Sequence, residues 1–262
     1  MSTGVAAVSR AGRDSVLLAG RQLRVLRLNP GRLIYPLVQP VVLLVLFVSV
    51  LGNLALSHGA AGGAYRQFLI PGILIQNAAL TAPGTGLGLL RDAGSGLADR
   101  FRSLPMSRSA VLIGRLAADG VVFAAQAVLL LAVAALLGFR VRSGLPGLVT
   151  IVAVAVGFGL ALAVVSAWFA LLIRDAEAAE RVLYFPAIAL AFVSSAFAPA
   201  SDLAGWMQPI ARLSPVTAAA GVIRSVAGTG PVAAPLLHLG LWVAGLAVVP
   251  GILAVRRWAR GS

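Results

Sequence analysis

Six apolar runs, at about residues 33–56, 67–90, 114–138, 147–173, 182–200 and 232–255, constrain this chain more than any other feature. Each is close to the roughly 20 residues that cross a hydrocarbon core about 30 Å thick. In lipid every backbone polar group must be satisfied within the segment, so runs of this kind fold as helices. The expectation is an all-α integral membrane protein with six transmembrane helices. Prolines 36, 40, 71, 83 and 186 fall inside or near the ends of these runs and predict kinks in spans one, two and five.

The chain divides accordingly. Residues 1–32 form a basic tail, 33–255 the six-span domain, and 256–262 a second tail. All 21 basic residues are arginine. Placing the 1–32 tail, the 91–115 and 174–181 connectors and the C-terminal end on one side gathers sixteen of them and leaves five opposite. Loops rich in arginine stay in the cytoplasm, so both termini are expected there, in a cell membrane crossed several times. The net charge of +13 is spread over the ends of apolar runs and forms no patch interleaved with exposed aromatics, which argues against nucleic acid.

Several chemistries are excluded. There is no cysteine, and with no lysine a nucleotide-binding P-loop cannot be built here. No paired carboxylates or nucleophile elbow occur, and His58 and His238 stand far apart in sequence, so neither an enzyme nor a metal site is expected. Gly84, Gly86 and Gly88 lie inside an apolar run with no strand before them, and their spacing does not fit a dinucleotide loop. Gly84 with Gly88, Gly157 with Ala161 and Gly159 with Ala163 have the small-xxx-small spacing of close helix packing.

Three polar stretches are candidates for function. In the connector from Arg91 to Arg115, a helix over 97–104 would put Leu97, Phe101 and Leu104 on one face and Asp99, Arg100 and Arg102 on the others. A short amphipathic helix held between two spans is suited to docking a soluble partner. Between Asp14 and Leu28, Arg21, Arg24 and Arg27 fall near one helical face, which suggests a helix lying on the membrane surface against lipid. Between runs five and six, 201–231 is long enough for two short outer helices, and Trp206 and Arg212 suit an interfacial cap. Asp119, one turn into the third run, lies four residues after Arg115, the spacing of a salt bridge at the interface.

Taken together these features resemble the ABC-2 type permeases, and more narrowly the daunorubicin-resistance permeases of antibiotic-producing actinobacteria. The resemblance rests on the order of spans with a basic entry helix, on Phe68-Leu69-Ile70-Pro71-Gly72-Ile73, and on Leu104-Pro105-Met106-Ser107-Arg108. Ser194-Ser195-Ala196-Phe197-Ala198-Pro199 and the stretch from Gln208 to Thr217 add to it. It covers about residues 20–258. One departure is the connector's start, Arg91-Asp92-Ala93-Gly94-Ser95-Gly96, which is glycine-rich where such permeases often carry glutamates.

The resemblance implies a transport subunit without its own motor, paired with a second permease copy or paralogue and with two copies of a separate ATPase that binds the ATP and Mg. The 97–104 helix would be its coupling helix. The cargo would be a hydrophobic or amphipathic drug or a lipid, with polysaccharide precursors as the alternative. A transporter driven by an ion gradient would want charged groups at mid-membrane depth and internal repeats, which are not evident here.

Overall fold

The computed structural model describes residues 20, 31–57, 62–94, 108–173, 175–228 and 230–260. Among these residues every regular element is a helix: α1 (Gly31–Ser57), α2 (Gly62–Thr81), α3 (Pro83–Gly94), α4 (Arg108–Leu136), α5 (Gly144–Ala170), α6 (Ala176–Phe192), α7 (Gln208–Leu213), α8 (Pro215–Gly228) and α9 (Ala233–Arg260). A single 3-10 turn spans Ala200–Asp202. Among the described residues, four stretches are long and apolar enough to cross a membrane: Gly63–Asp92, Leu112–Leu136, Gly144–Ala170 and Ala233–Ile252. Leu37–Gly52 within α1 is a shorter apolar stretch.

α5 is the centre of the bundle. Its 27 residues are apolar on every side, and it packs on α2, α3, α4, α6, α8 and α9. Ala155, Gly159, Ala163 and Ala167 recur every fourth residue and are buried, a strip of small side chains that lets neighbouring helices approach closely. At Gly159 the ring of Phe123 fills the notch; a Cβ there would lie 2.9 Å from it. Large side chains fill the rest of the core, among them Leu69, Ile75, Ile151, Phe158, Val216, Val222 and Ile223. The outward faces are apolar as well. Val38, Val42, Val121, Val128, Phe185 and Leu241 are all exposed, the inside-out pattern of a bundle whose solvent is lipid.

Two apolar runs are not single helices. Run 67–90 breaks at Ala82, because Pro83 has no N–H to continue the ladder and starts α3 instead. Run 182–200 is displaced: α6 begins at Ala176, capped by the Asp175 carboxylate accepting from the Ala178 N–H at 2.8 Å, and ends at Phe192. At about 1.5 Å per residue, its 17 residues are about 25 Å long, and residues 193–199 continue unwound.

The turn from α4 to α5 is fixed by Gly138 at φ 91°, with the Phe139 N–H reaching back to the Ala134 carbonyl at 2.9 Å. The same turn closes the end of α8. Arg142 N–H donates to Ala227 O at 3.0 Å and the Ser143 hydroxyl to Val226 O at 2.7 Å, satisfying carbonyls that a helix end would leave bare.

Candidate functional site

The proline break between α2 and α3 frees backbone groups inside the bundle, and polar side chains gather around it. The Ser166 hydroxyl on α5 accepts from the Gly86 N–H at 3.1 Å and donates to the Pro83 carbonyl at 3.2 Å. One buried hydroxyl thus satisfies a donor and an acceptor in the first turn of α3. Thr85, the residue before Gly86, donates from Oγ1 to Asp119 Oδ2 on α4 at 2.8 Å.

Arg115 completes this junction. Its Nη1 donates to Asp92 Oδ2 at 3.2 Å, and its Nε stands 3.6 Å from Asp119 Oδ2, an ion pair too long to be a hydrogen bond. Nη2 reaches the Gly84 carbonyl at 3.4 Å. The guanidinium occupies the space beside Gly88, where a Cβ would collide with it. Glycine at 88 is therefore what allows an arginine to lie between α3 and α4. Asp92 is two residues from the end of α3 and Arg115 seven residues into α4, so the junction stands where the chain enters and leaves the 95–107 connector.

A second polar cluster surrounds the unwound segment after α6. Ser194, Ser195 and Ala196 are buried, which exposed backbone at such depth could not be without partners. Arg224 on α8 supplies most of them: Nη2 donates to Ser195 O at 2.7 Å and Ala196 O at 3.3 Å, and Nη1 lies 3.4 Å from the Ser195 hydroxyl. Its Nε donates to the Phe68 carbonyl on α2 at 3.0 Å, and its carbon Cζ sits 3.6 Å from the Phe68 ring centroid. Thr217 Oγ1 accepts from the Ser195 N–H at 2.9 Å, and the Tyr65 hydroxyl donates to Phe197 O at 3.0 Å.

The positions picked out from the sequence are distributed as follows. Arg115 and Asp119 are in the α3–α4 junction. Leu97, Asp99, Arg100, Phe101, Arg102 and Leu104, like Arg21, Arg24 and Arg27, lie outside the described residues. Gly88 faces Arg115 and Gly159 faces Phe123, whereas a Cβ at Gly84 or Gly157 would meet nothing within 4 Å.

Trp206 and Arg212 are exposed, and Arg212 contacts Gln208 at 3.5 Å. The segment between runs five and six is not, however, a surface cap throughout. α8 buries Val216, Ala218, Ala219, Ala220, Val222 and Ile223 against α2, α5 and α9 and belongs to the bundle. No group of three His, Asp or Glu side chains able to hold a metal ion occurs among the described residues.

Sequence reasoning missed Thr85, Ser166, Thr217 and above all Arg224. A signal for the last was present: Arg224 is the one charged residue between Pro215 and Gly228, and a lone ionisable group in an apolar helix is by default functional.

A multi-helix bundle of this kind can be placed by comparison with known proteins. Residues 15–227 match the family described as ABC-2 type transporter. The chain belongs to that family. It is 30% identical over 226 residues, covering 86% of this chain and 81% of the relative, to the "probable doxorubicin resistance ABC transporter permease protein DrrC" of Mycobacterium tuberculosis. It is 28% identical over 230 residues, covering 86% of this chain and 77% of the relative, to the "daunorubicin resistance ABC transporter permease protein DrrB1" of Streptomyces coeruleorubidus. This ABC-2 protein is thus a multi-pass membrane component of an ABC transporter. Permeases of this family are transport components rather than ATPases, which implies an ATPase partner.

Proposed function

We propose that this chain is the membrane half of an ATP-driven exporter that moves a hydrophobic or amphipathic small molecule, such as a drug or a lipid, out of the cell. Its likeness to two anthracycline-resistance permeases over most of its length carries the reading. The six apolar runs are six crossings, with both termini in the cytoplasm. Energy comes from a separate ATPase, present in two copies, that holds ATP and Mg and grips the 97–104 helix of the connector. Phe101 and Leu104 are the buried anchors of that contact, and Arg100 and Arg102 form its charged rim.

The α3–α4 junction supports this assignment physically. A load applied to the 95–107 connector is delivered to Asp92 on one side and Arg115 on the other, and these two are bonded to each other. A second permease copy, or a paralogue, completes the path. For it this protomer offers the exposed face of α6, where a cleft of about 590 Å³ is lined by Arg181, Val182, Phe185, Pro186 and Ile188.

The test is efflux of an anthracycline from cells or vesicles that hold the chain together with its partner ATPase. Outward movement should require ATP, survive an uncoupler, and stop when Phe101 and Leu104 are both changed to Ala. That double variant should still insert in the membrane but lose ATPase co-purification, because loss of an aromatic anchor alone costs about 2 kcal/mol or more. Uphill transport by the permease alone, driven by protons or sodium, would refute the proposal.

A further inference from the structure

Arg224 is a half-buried cation whose partners among the described residues are carbonyls, a hydroxyl and an aromatic face, with no carboxylate among them. A guanidinium used in this way is a poor stabiliser, since desolvating it is offset only by dipoles. What it does well is hold several backbone groups in a fixed relation, because its planar fork presents five donors at once. The groups it holds belong to different elements: Phe68 to α2, Ser195 and Ala196 to the unwound segment, and Arg224 itself to α8.

The seat of that segment is shaped for it. A Cβ at Gly72 would fall on the Ala196 carbonyl, so the unwound backbone lies directly against α2. Phe197 stacks on Phe192 at 5.5 Å and tilts against Phe47 of α1 at 5.0 Å. Three polar side chains (Tyr65, Thr217 and Arg224) satisfy this backbone from two helices, and all three contacts can be broken without unfolding a helix. Irregular backbone at this depth is stable only while those contacts last.

We infer that Arg224 is a positioning residue for transport: it latches the unwound 193–199 segment into the bundle at the end opposite the 95–107 connector, and release of that segment accompanies opening of the path there. The inference rests on the permease reading, but its first test does not need a transport substrate.

The protein has no cysteine, so Ser194→Cys places a single, nearly isosteric thiol in the buried segment. Its rate of reaction with a membrane-impermeant maleimide measures how often the segment leaves its seat. In the complex with its ATPase the thiol should react slowly when Arg224 is present. It should react at least tenfold faster in Arg224→Gln, and only from the vesicle face opposite the connector. Arg224→Lys, which can reach one carbonyl but cannot span three, should fall between.

The same complexes should retain ATP hydrolysis in Arg224→Gln while moving less anthracycline per ATP, a separation that simple misfolding would not produce. Should Arg224→Gln fail to accumulate, Thr217→Val loosens the same segment from its other side and should label severalfold faster than the native background. Labelling of both variants within twofold of that background overturns the latch. If native protein and variants alike move no anthracycline, the export reading fails, while the labelling rates still decide the latch.

Discussion

The α3–α4 junction predicts an asymmetry between its two ends. Arg115 lies between Asp119 at 3.6 Å and Asp92 at 3.2 Å, with side-chain exposures of 18% for the arginine, 23% for Asp119 and 37% for Asp92. At an effective dielectric of about 20, the 3.6 Å pair is worth about 5 kcal/mol before desolvation. The more exposed Asp92 pair is worth about 1 kcal/mol or less. Arg115→Gln removes both attractions and leaves the Asp119 carboxylate without this cation. Removing one partner of a fully buried pair costs roughly 3–5 kcal/mol, and the partial exposure here lowers the expected loss to about 2–3 kcal/mol. Asp119→Asn still accepts the Thr85 hydroxyl and leaves Arg115 with Asp92, so its loss should be about 1 kcal/mol. Together the two changes should cost less than their sum, with a coupling of about 1–2 kcal/mol. Equilibrium unfolding in mixed detergent micelles, followed by the fluorescence of the four tryptophans, measures all four corners of this cycle. Equal losses for the two single variants, or additivity in the double, would show that Arg115 is not the centre of the junction.

Other sites give simpler outcomes. Gly88→Ala should act like a weaker Arg115→Gln, because the new methyl displaces the guanidinium; in the Arg115→Gln background it should add little, as the same unfolding assay would show. Gly159→Leu should drive Phe123 out of its notch and lower stability by about 1–3 kcal/mol, and Phe123→Ala in the same chain should recover part of the loss. Gly138→Val places a β-branched residue at φ 91° and should cost at least about 1 kcal/mol; Gly138→Asn should be milder, since Asn tolerates the left-handed region.

The helical class and the apolar runs were legible because the 20-residue length rule needs only composition, and the spacing of Arg115 and Asp119 needs only the helical repeat. Where the helices stop was less legible. Hydropathy is blind to the difference between Phe192 inside a helix and Phe197 outside one, so the run at 182–200 reads as continuous although the backbone unwinds after Phe192. The break before Pro83 could be read as a kink from the residue alone, but Ser166, which closes it, is 83 positions away in the chain. Thr85 likewise meets Asp119, and Asp92 meets Arg115, only because the fold brings α3 and α4 together. The placement of α8 was hidden for another reason: its 14 residues are too few to span a bilayer, so length points to a surface helix, while its buried Val and Ile side chains point inward.

α2 and α3 join the two polar clusters, and this constrains how a force at one could reach the other. The first half of α2 holds Tyr65 and Gly72 against the unwound segment and Phe68 against Arg224, and α3, which continues it, ends at the junction with Arg115. Between them lies the break at Ala82, just past which Ser166 of α5 bonds Pro83 and Gly86 at the start of α3. A continuous helix would carry displacement from end to end as a rod. A helix broken at this point and pinned to the central α5 transmits rotation about the pin better than translation along its axis. On this geometry a pull on the connector tilts α3 about its Ser166 contact with α5, and α2 follows only through the chain at Ala82 and its own packing on α5. That makes the serine, rather than either charged cluster, the pivot about which α3 turns against the bundle.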